Sequence, residues 1–305
     1  MKIQPILLTI LCFSFISTLM AQDFAPLYDK NIPNYIDTPN EQTSSVSGGI
    51  LRISKVSIPT FAFYPSKVGN SAATKPVVVI CPGGGYGILA AQHEGDDIAK
   101  KFNENGIHAL VLYYRIPNSL KQIDKKIAPL QDAQQAIRIA RKNATSWGID
   151  INKVGIMGFS AGGHLASSAA THFSKDYTGI NDGINLRPDF QILLYPVISF
   201  REFTHSGSKN SLIGTNAPEE LVNLFSNEEQ ITKETPQAFI VHASDDKSVP
   251  LKNALIYAEN LVKNQVKVDL HVYANGGHGF GLNNKTTQDD WFKSLIFWFK
   301  SQQIL

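Results

Sequence analysis

The amino-acid sequence predicts an α/β fold in which a mostly parallel central sheet is flanked by helices on both faces. Continuous runs of apolar, often β-branched residues, such as KPVVVIC (75–81), are typical of strands buried on both faces. Segments with apolar residues at three- and four-residue steps alternate with these runs, as helices between parallel strands do. The chain has 305 residues, of which 43% are hydrophobic, so one domain can bury a large core.

The individual elements follow from these patterns in chain order. The segments 51–58 and 60–65 alternate apolar and polar residues, which predicts antiparallel strands near a sheet edge. The preceding stretch TPNEQTSSVSGG (38–49) has no regular pattern. Further strands are predicted at 75–81, 107–115, 153–159, 189–197, 237–243 and 266–273, and helices at 128–148, Ser160 to about His172, 251–264 and 289–300.

Residues 199 to about 235 interrupt the alternation of strands and helices. The segment is polar, mixed in character and too long for a simple connection, and loops of that length usually serve as lids or binding segments. It contains too few apolar residues to build a core of its own. We therefore expect a small cap inserted between two core strands, within a single domain that covers residues 22–305.

The first 21 residues have the layout of a secretory signal peptide. Lys2 precedes an apolar run from Ile6 to Met20, and Ala21 supplies a small residue at the expected cleavage site. The alternative is a membrane anchor, but the run is shorter than the ~20 apolar residues that a spanning helix needs. The pattern predicts export to the periplasm or the extracellular space, without stable membrane insertion after cleavage. Cleavage would leave Cys81 as the one cysteine, so no internal disulfide is expected.

Charge and motif content argue against several classes of function. The net charge is only +2 and no basic stripe with interleaved aromatic residues occurs, so nucleic-acid binding is not expected. The sequence contains neither an H-E-x-x-H motif nor a cysteine pair of the kind that would indicate a metal site. The cluster HEGDD (93–97) offers possible ligands, but it is read more simply as the acidic first turn of a helix. We expect neither a metal nor any other cofactor.

The stretch GFSAGGHLA (158–166) places Ser160 between Gly158 and Gly162, where a buried strand meets a helix. This is the G-x-S-x-G pattern of a nucleophile elbow, in which the missing side chains of the glycines allow a sharp turn. The alternative is an ordinary turn. A serine hydroxyl is a weak nucleophile and needs a base, a carboxylate that orients the base, and N–H donors for the oxyanion. The nucleophile hypothesis therefore requires these groups elsewhere in the chain.

A glycine run follows the strand that ends near Cys81. The backbone N–H groups of Gly83–Gly85 can approach a substrate oxygen without an intervening side chain, which favours an oxyanion hole. One alternative is a flexible turn. Another is a phosphate-binding loop, but the lysine and hydroxyl residue of that motif are absent at the required spacing.

The acid and the base are expected after the serine, in the order carboxylate and then histidine. Asp245 and Asp246 follow the predicted strand 237–243, and we favour Asp246 because the next helix begins at a fixed offset from it. In the alternative, both aspartates only cap that helix. His278 lies in the glycine-rich loop YANGGHGF (273–280) after the last predicted strand, and no other histidine has this placement. His164 follows the elbow and either packs within the helix or lines the pocket.

With these residues in view, the chain resembles the α/β-hydrolase superfamily, and within it the bacterial carbohydrate esterases related to the hormone-sensitive-lipase and feruloyl-esterase-like groups. The resemblance covers residues 50 to 302. Its most specific segments are CPGGGY (81–86), LYYRIP (112–117), APLQDAQQAIRIAR (128–141), WGID (147–150), GFSAGGHLA (158–166), HASDDKSVP (242–250) and GGHGFG (276–281).

The resemblance implies an α/β-hydrolase fold and a role for each matching residue. It makes Ser160 the nucleophile, Asp246 the orienting acid and His278 the base. It also implies that the oxyanion N–H groups come from Gly84, Gly85 and Ala161. The chain departs from lipase-type members at Pro82, where they have histidine, and the proline form is similar to the sugar-ester branch.

The implied activity is that of a secreted serine carboxylic ester hydrolase that deacetylates plant or algal polysaccharides or their oligosaccharides. A feruloyl esterase and a serine peptidase of the prolyl-oligopeptidase type are alternatives, although such peptidases usually carry a large additional domain. A third alternative is a binding protein with this fold and no catalysis. Tyr86, His164 and the cap residues Phe200 and Phe203 are candidates for substrate contact, and a homodimer is possible.

Overall fold

The structure is a computed structural model that describes residues 24–69 and 73–305, and the predicted signal peptide 1–21 lies outside the described residues. Within these ranges the strands are β1 (Ala25–Pro26), β2 (Thr43–Ser47), β3 (Ile50–Ser54), β4 (Thr60–Tyr64), β5 (Lys75–Cys81), β6 (Ile88–Ala90), β7 (His108–Tyr113), β8 (Ile149–Phe159), β9 (Phe190–Leu194), β10 (Gln237–Ala243) and β11 (Val268–Tyr273). The α-helices are α1 (Asp97–Asn103), α2 (Ala128–Lys142), α3 (Ala144–Trp147), α4 (Ser160–Thr171), α5 (Ser206–Ile213), α6 (Glu219–Leu224), α7 (Lys252–Lys263) and α8 (Trp291–Ser301). A π-helical turn, Gln92–Asp96, precedes α1, and a 3-10 turn, Asn227–Glu229, follows α6.

An eight-stranded sheet forms the centre of the fold, in the order β1-β4-β7-β5-β8-β9-β10-β11. From β7 to β11 all neighbours are parallel, whereas β4 and β1 add an antiparallel edge. Every residue of β7 and β9 is buried, as is all of β5 except Lys75, because helices cover the aliphatic side chains on both faces. The prediction of a mostly parallel sheet flanked by helices is confirmed.

The parallel strands bring four distant parts of the chain to one edge of the sheet. The glycine run 83–85 follows β5, Ser160 follows β8, Asp246 comes after β10, and His278 comes after β11. Because the carboxyl ends of parallel strands lie at the same edge, these segments meet there.

A second, smaller sheet was only partly predicted. Strand β3 pairs antiparallel with β2 on one side and with β6 on the other, and does not join the main sheet. Residues 51–58 were predicted as an antiparallel strand near a sheet edge. Ile50–Ser54 does form an antiparallel strand, but it lies in this smaller sheet, and β2 arises from a stretch without a regular pattern. The reason is long-range pairing: β6 begins just after the glycine run, and Ile50–Ser54 pairs with it.

A buried ion pair joins the end of β7 to helix α2. The side chains of Arg115 and Asp132 have no exposed surface, and Arg115 Nη2 lies 2.7 Å from Asp132 Oδ1. The backbone N–H of Arg115 donates to Asp132 Oδ2 at 2.8 Å, and the Tyr28 hydroxyl donates to Oδ1 at 3.0 Å. Buried charges of this kind are tolerated when paired and hydrogen-bonded, and this pair connects the LYYRIP and APLQDAQ segments at the end of β7 and in α2.

Residues 199–235 lie between β9 and β10 and contain α5, α6 and the 3-10 turn. They pack on α4 through polar and aromatic contacts. Asn227 Nδ2 donates to the His164 carbonyl at 3.0 Å and to Ser167 Oγ at 2.7 Å, and the ring of Phe200 stacks on that of His164 with centroids 4.2 Å apart. The segment thus shares its buried side chains with the main core, and it stands directly beside the helix that Ser160 begins.

Candidate active site

Ser160 occupies the sharp bend between β8 and α4. Its φ is +52°, a left-handed conformation that is uncommon for a residue with a side chain and is characteristic of strained functional turns. A Cβ on Gly158 would lie 2.0 Å from the Gly162 carbonyl oxygen, and a Cβ on Gly162 would lie 2.1 Å from the Cys81 carbonyl oxygen. The elbow therefore needs glycine at both positions.

A continuous hydrogen-bonded chain connects Ser160, His278 and Asp246. His278 Nε2 lies 2.8 Å from Ser160 Oγ, and His278 Nδ1 lies 2.6 Å from Asp246 Oδ2. Asp246 can only accept on that oxygen when ionised, so Nδ1 carries the ring proton and Nε2 accepts from the serine hydroxyl. The three residues predicted as nucleophile, base and acid are thus brought together by the structure, and each is within hydrogen-bonding range of the next.

Asp246 is held in its ionised form by several donors. Burial would raise the pKa of this carboxyl group, but hydrogen bonds from His242 and His278 outweigh burial and lower the pKa below its usual value. Its other oxygen accepts from the backbone N–H groups of Ser248 at 2.8 Å and Val249 at 2.9 Å. The neighbouring Asp245 accepts instead from the Gly277 N–H at 2.7 Å, on the loop that carries His278. Asp246 therefore contacts the His278 ring, whereas Asp245 contacts the backbone of the loop that carries it.

A cleft of about 360 Å³ opens directly above Ser160 and His278. The glycine run contributes Gly84 and Gly85 to its wall, and the small sheet contributes Arg52. His205, from the segment 199–235, also lines the cleft. The hydrogen-bonded chain thus faces a space of the size that holds a small organic group.

In the glycine run 83–85, the first N–H group donates a hydrogen bond within the described part of the protein and the next two do not. Gly83 N–H donates to Glu94 Oε2 at 2.8 Å. Within the described ranges, the N–H groups of Gly84 and Gly85 have no acceptor in the protein, although both residues line the cleft. Ala161 is the second residue of α4, where N–H groups have no partner inside the helix. These three positions were the predicted oxyanion donors, and that role stays a prediction.

Glu94 is a residue of this site to which the sequence patterns assigned no function. It is 3% exposed, and besides the Gly83 bond its Oε1 accepts from the Tyr195 hydroxyl at 2.9 Å. The same hydroxyl accepts from the Gly281 N–H at 3.0 Å, on the loop after His278. Burial and the nearby Glu94 raise the pKa of Tyr195, so the hydroxyl stays protonated and able to donate. Glu94 therefore links the glycine run to the histidine loop.

Tyr86 and His164 do not contact the cleft, which corrects the expectation that they bind substrate. Tyr86 is 2% exposed and His164 is fully buried. The Tyr86 hydroxyl lies 2.9 Å from His164 Nδ1, and His164 Nε2 lies 2.8 Å from the Phe225 carbonyl oxygen. Because a carbonyl only accepts, Nε2 carries the proton and the tyrosine donates to Nδ1. The pair, with Phe200 stacked on it, supports the segment 199–235 from below.

In residues 24–69 and 73–305, no helix is long and apolar enough to cross a membrane. No group of three or more histidine, cysteine, aspartate or glutamate side chains there is arranged to hold a metal ion.

A serine at a strand–helix elbow, with carboxylate and histidine following it in chain order on a mostly parallel sheet, defines the α/β-hydrolase class. Comparison with solved structures agrees. The acetyl ester-xyloside bifunctional hydrolase of Caldicellulosiruptor lactoaceticus superposes with a TM-score of 0.80 at 36% identity, over 95% of this chain and 100% of that one. A carboxylesterase from Lactobacillus plantarum, at 23% identity and a TM-score of 0.66, shares the fold over 88% of this chain and 99% of its own. The predicted α/β-hydrolase fold is confirmed.

Within that class the chain belongs to the BD-FAE family, whose model matches residues 63–261, and so to the carbohydrate esterases of this fold. It is 36% identical over 231 residues to an acetylxylan esterase of Xylanibacter ruminicola, over 72% of this chain and 45% of the relative. It is also 35% identical over 237 residues to endo-1,4-beta-xylanase B of Butyrivibrio fibrisolvens, over 76% of this chain and 37% of the relative. The chain thus spans less than half the length of these two relatives.

Proposed function

We propose that this protein is an exported serine carboxylic ester hydrolase that removes acetyl groups from plant or algal polysaccharides or their oligosaccharides. The observation that carries the proposal is the hydrogen-bonded chain from Ser160 Oγ through His278 to Asp246 at the floor of an open cleft. A hydroxyl, an imidazole and a carboxylate in this order are the groups that acyl transfer to serine needs.

The proposed reaction runs in two steps through an acyl-enzyme. Ser160 Oγ bonds to the ester carbonyl carbon while His278 Nε2 takes its proton, and the carbonyl electron pair moves onto oxygen. The N–H groups of Gly84, Gly85 and Ala161 stabilise that oxyanion. When it collapses, the bond to the alcohol oxygen breaks and the alcohol leaves with the proton from His278. Water then attacks the acyl-enzyme with His278 again as the base, which releases the acid and restores Ser160.

The substrate class is proposed from the relatives and from the cleft. An acetylxylan esterase and an acetyl ester-xyloside hydrolase, each 36% identical, both have names that refer to acetyl esters and xylan or xylosides. A cleft of about 360 Å³ is suited to a short acyl group with a sugar beside it. Export is proposed from the signal-peptide layout of residues 1–21.

The test compares the wild-type protein with Ser160→Ala on 4-nitrophenyl acetate and on acetylated xylo-oligosaccharides. Ser160→Ala should lose activity by at least ~10⁴-fold on both, because the other groups alone cannot form the acyl-enzyme. Ser146→Ala, at an exposed serine away from the cleft, is the matched control and should keep wild-type rates. Labelling of Ser160 by an organophosphate would show the nucleophile directly.

The same substrates distinguish the alternatives. Faster turnover of methyl ferulate than of acetyl esters would favour a feruloyl esterase, and cleavage of dipeptide amides would favour a peptidase. Full activity in Ser160→Ala would overturn the proposed mechanism. An absence of both hydrolysis and organophosphate labelling in the wild-type protein would favour a binding protein.

A further inference from the structure

The segment 199–235 contributes one polar side chain, that of His205, to the wall of the cleft that Ser160 and His278 floor. The imidazole stands over the glycine run, because a methyl group built on Gly85 would lie 3.8 Å from His205 Cε1. His205 is partly buried. It thus lines the same cleft as the proposed acyl-transfer centre.

The hydrogen bonds of His205 determine which ring nitrogen carries the proton. Nδ1 accepts from the backbone N–H of Ser208 at 3.2 Å and thereby caps helix α5. Since a backbone N–H can only donate, Nδ1 is the unprotonated nitrogen, and the Ser208 hydroxyl, 2.8 Å away, donates to it as well. The proton of the neutral ring is therefore on Nε2.

The Nε2–H group has no acceptor among the described residues, and it is not one of the polar atoms that are sealed from solvent without a partner. Burial and the neighbouring His278 lower the pKa of His205, and Asp246 opposes this effect more weakly. The ring is accordingly neutral at neutral pH. It presents a fixed, uncharged donor to the cleft.

We propose that His205 is a substrate-binding residue whose Nε2–H donates a hydrogen bond to an oxygen of the sugar that carries the ester. This inference rests on the proposed function. An acetyl group has no acceptor besides its carbonyl oxygen, for which Gly84, Gly85 and Ala161 supply donors. The remaining acceptors of a sugar ester are the bridging ester oxygen, the ring oxygen and the neighbouring hydroxyl groups, and the last two kinds are absent from esters of simple alcohols. A donor placed for such an oxygen favours sugar esters over esters of simple alcohols.

The test uses substitutions that keep the helix cap and remove the donor. Asparagine and serine are preferred N-cap residues, so His205→Asn and His205→Ser can still accept from the Ser208 N–H, while their shorter side chains place no donor at the position of Nε2. On acetylated xylo-oligosaccharides we expect kcat/KM to fall roughly tenfold, mainly through KM, as for the loss of one hydrogen bond. On phenyl acetate, which has no sugar oxygen, we expect less than about a twofold change. Ser208→Ala keeps both the backbone cap and Nε2–H, and should behave like the wild-type protein.

Each other outcome has a distinct meaning. An equal loss of kcat on both substrates, with unchanged thermal midpoints, would place His205 at the oxyanion and overturn the inference. No loss on either substrate would overturn it as well. If the wild-type protein hydrolyses no ester at all, the proposed function has failed, whereas normal hydrolysis by the wild-type protein together with equal effects of His205→Asn on the two substrates refutes only the role of His205.

Discussion

Glu94 accepts a hydrogen bond from the backbone N–H of Gly83 at 2.8 Å, so the first amide of the glycine run is turned away from any substrate. The next two, Gly84 and Gly85, remain without protein acceptors in the described part of the chain. A Cβ on Gly83 would lie 2.7 Å from Glu94 Oε2, which shows how closely the carboxylate supports this loop. Through Tyr195, the same carboxylate also reaches the loop that follows His278.

Replacement of Glu94 by alanine should therefore lower kcat with little change in KM. Without this carboxylate the glycine loop would lose its support, and the proposed oxyanion donors would lose their positions. We expect kcat to fall roughly 10- to 100-fold, somewhat less than when an oxyanion donor itself is removed. Glu94→Gln keeps one acceptor and should recover part of the rate. Asp97→Asn removes a carboxylate from the start of α1 and serves as the control. Steady-state kinetics on 4-nitrophenyl acetate measures all three, and a normal kcat in Glu94→Ala would contradict this role.

The adjacent aspartates after β10 should behave very differently. Asp246→Asn removes the acceptor that fixes the His278 tautomer, and we expect kcat to fall by on the order of 10⁴-fold. Asp245→Asn keeps an oxygen that can accept from Gly277 N–H and should change kcat less than about tenfold. Kinetics of the two variants, with circular dichroism to confirm folding, tests the assignment. Similar losses in both would favour the interpretation that the aspartates only maintain the loop.

The elbow should not tolerate a methyl group. In Gly162→Ala the new Cβ would meet the carbonyl oxygens of Cys81 at 2.1 Å and Pro82 at 2.5 Å, and backbone atoms cannot move aside easily. We expect a loss of about 3 kcal/mol or more in the free energy of unfolding, at the upper end of overpacking effects. Gly87→Ala is the control, because the nearest atom to its new Cβ would be 3.7 Å away. Urea unfolding measures both, and equal stabilities would show that the elbow relaxes.

The proposed catalytic residues could be predicted because chain order and strand ends determine where they lie. Ser160 and His278 are 118 positions apart, yet each follows a strand of one parallel sheet, so their convergence follows from the alternation of strands and helices alone. The buried run of β5 and the helix α4 were predictable for a different reason, because their residue patterns are strong and local.

Other features depend on contacts that no local pattern contains. HEGDD was interpreted as the first turn of a helix, whereas Glu94 lies in a π-helical turn before α1 and is held by Tyr195, 101 positions away. From its place in a glycine-rich loop, Tyr86 could contact substrate or be buried, and the sequence does not distinguish the two. Its hydrogen bond to the buried His164 shows that it is buried. His205 had no identifiable partner in the sequence, because its place in the cleft depends on how the segment 199–235 folds back.

The buried His164 should make stability depend on pH in a specific range. Burial lowers the pKa of His164 from 6.5 to about 4, while its hydrogen bond to the Phe225 carbonyl opposes this shift. Between these values the unfolded chain takes up a proton that the folded chain does not. Stability is therefore fully present above pH 6.5 and falls as the pH drops toward 4, by about 3 kcal/mol for this group.

His164→Phe cannot take up this proton, so its free energy of unfolding should fall less steeply between pH 6.5 and 4 than that of the wild-type protein. The variant should also be less stable at pH 7, because the Tyr86 hydroxyl loses its acceptor. Tyr86→Phe removes the same hydrogen bond but keeps the imidazole, and should therefore retain the wild-type slope. Urea unfolding at a series of pH values measures the slopes. Parallel curves for His164→Phe and the wild-type protein would mean that His164 is protonated equally in the folded and unfolded chains.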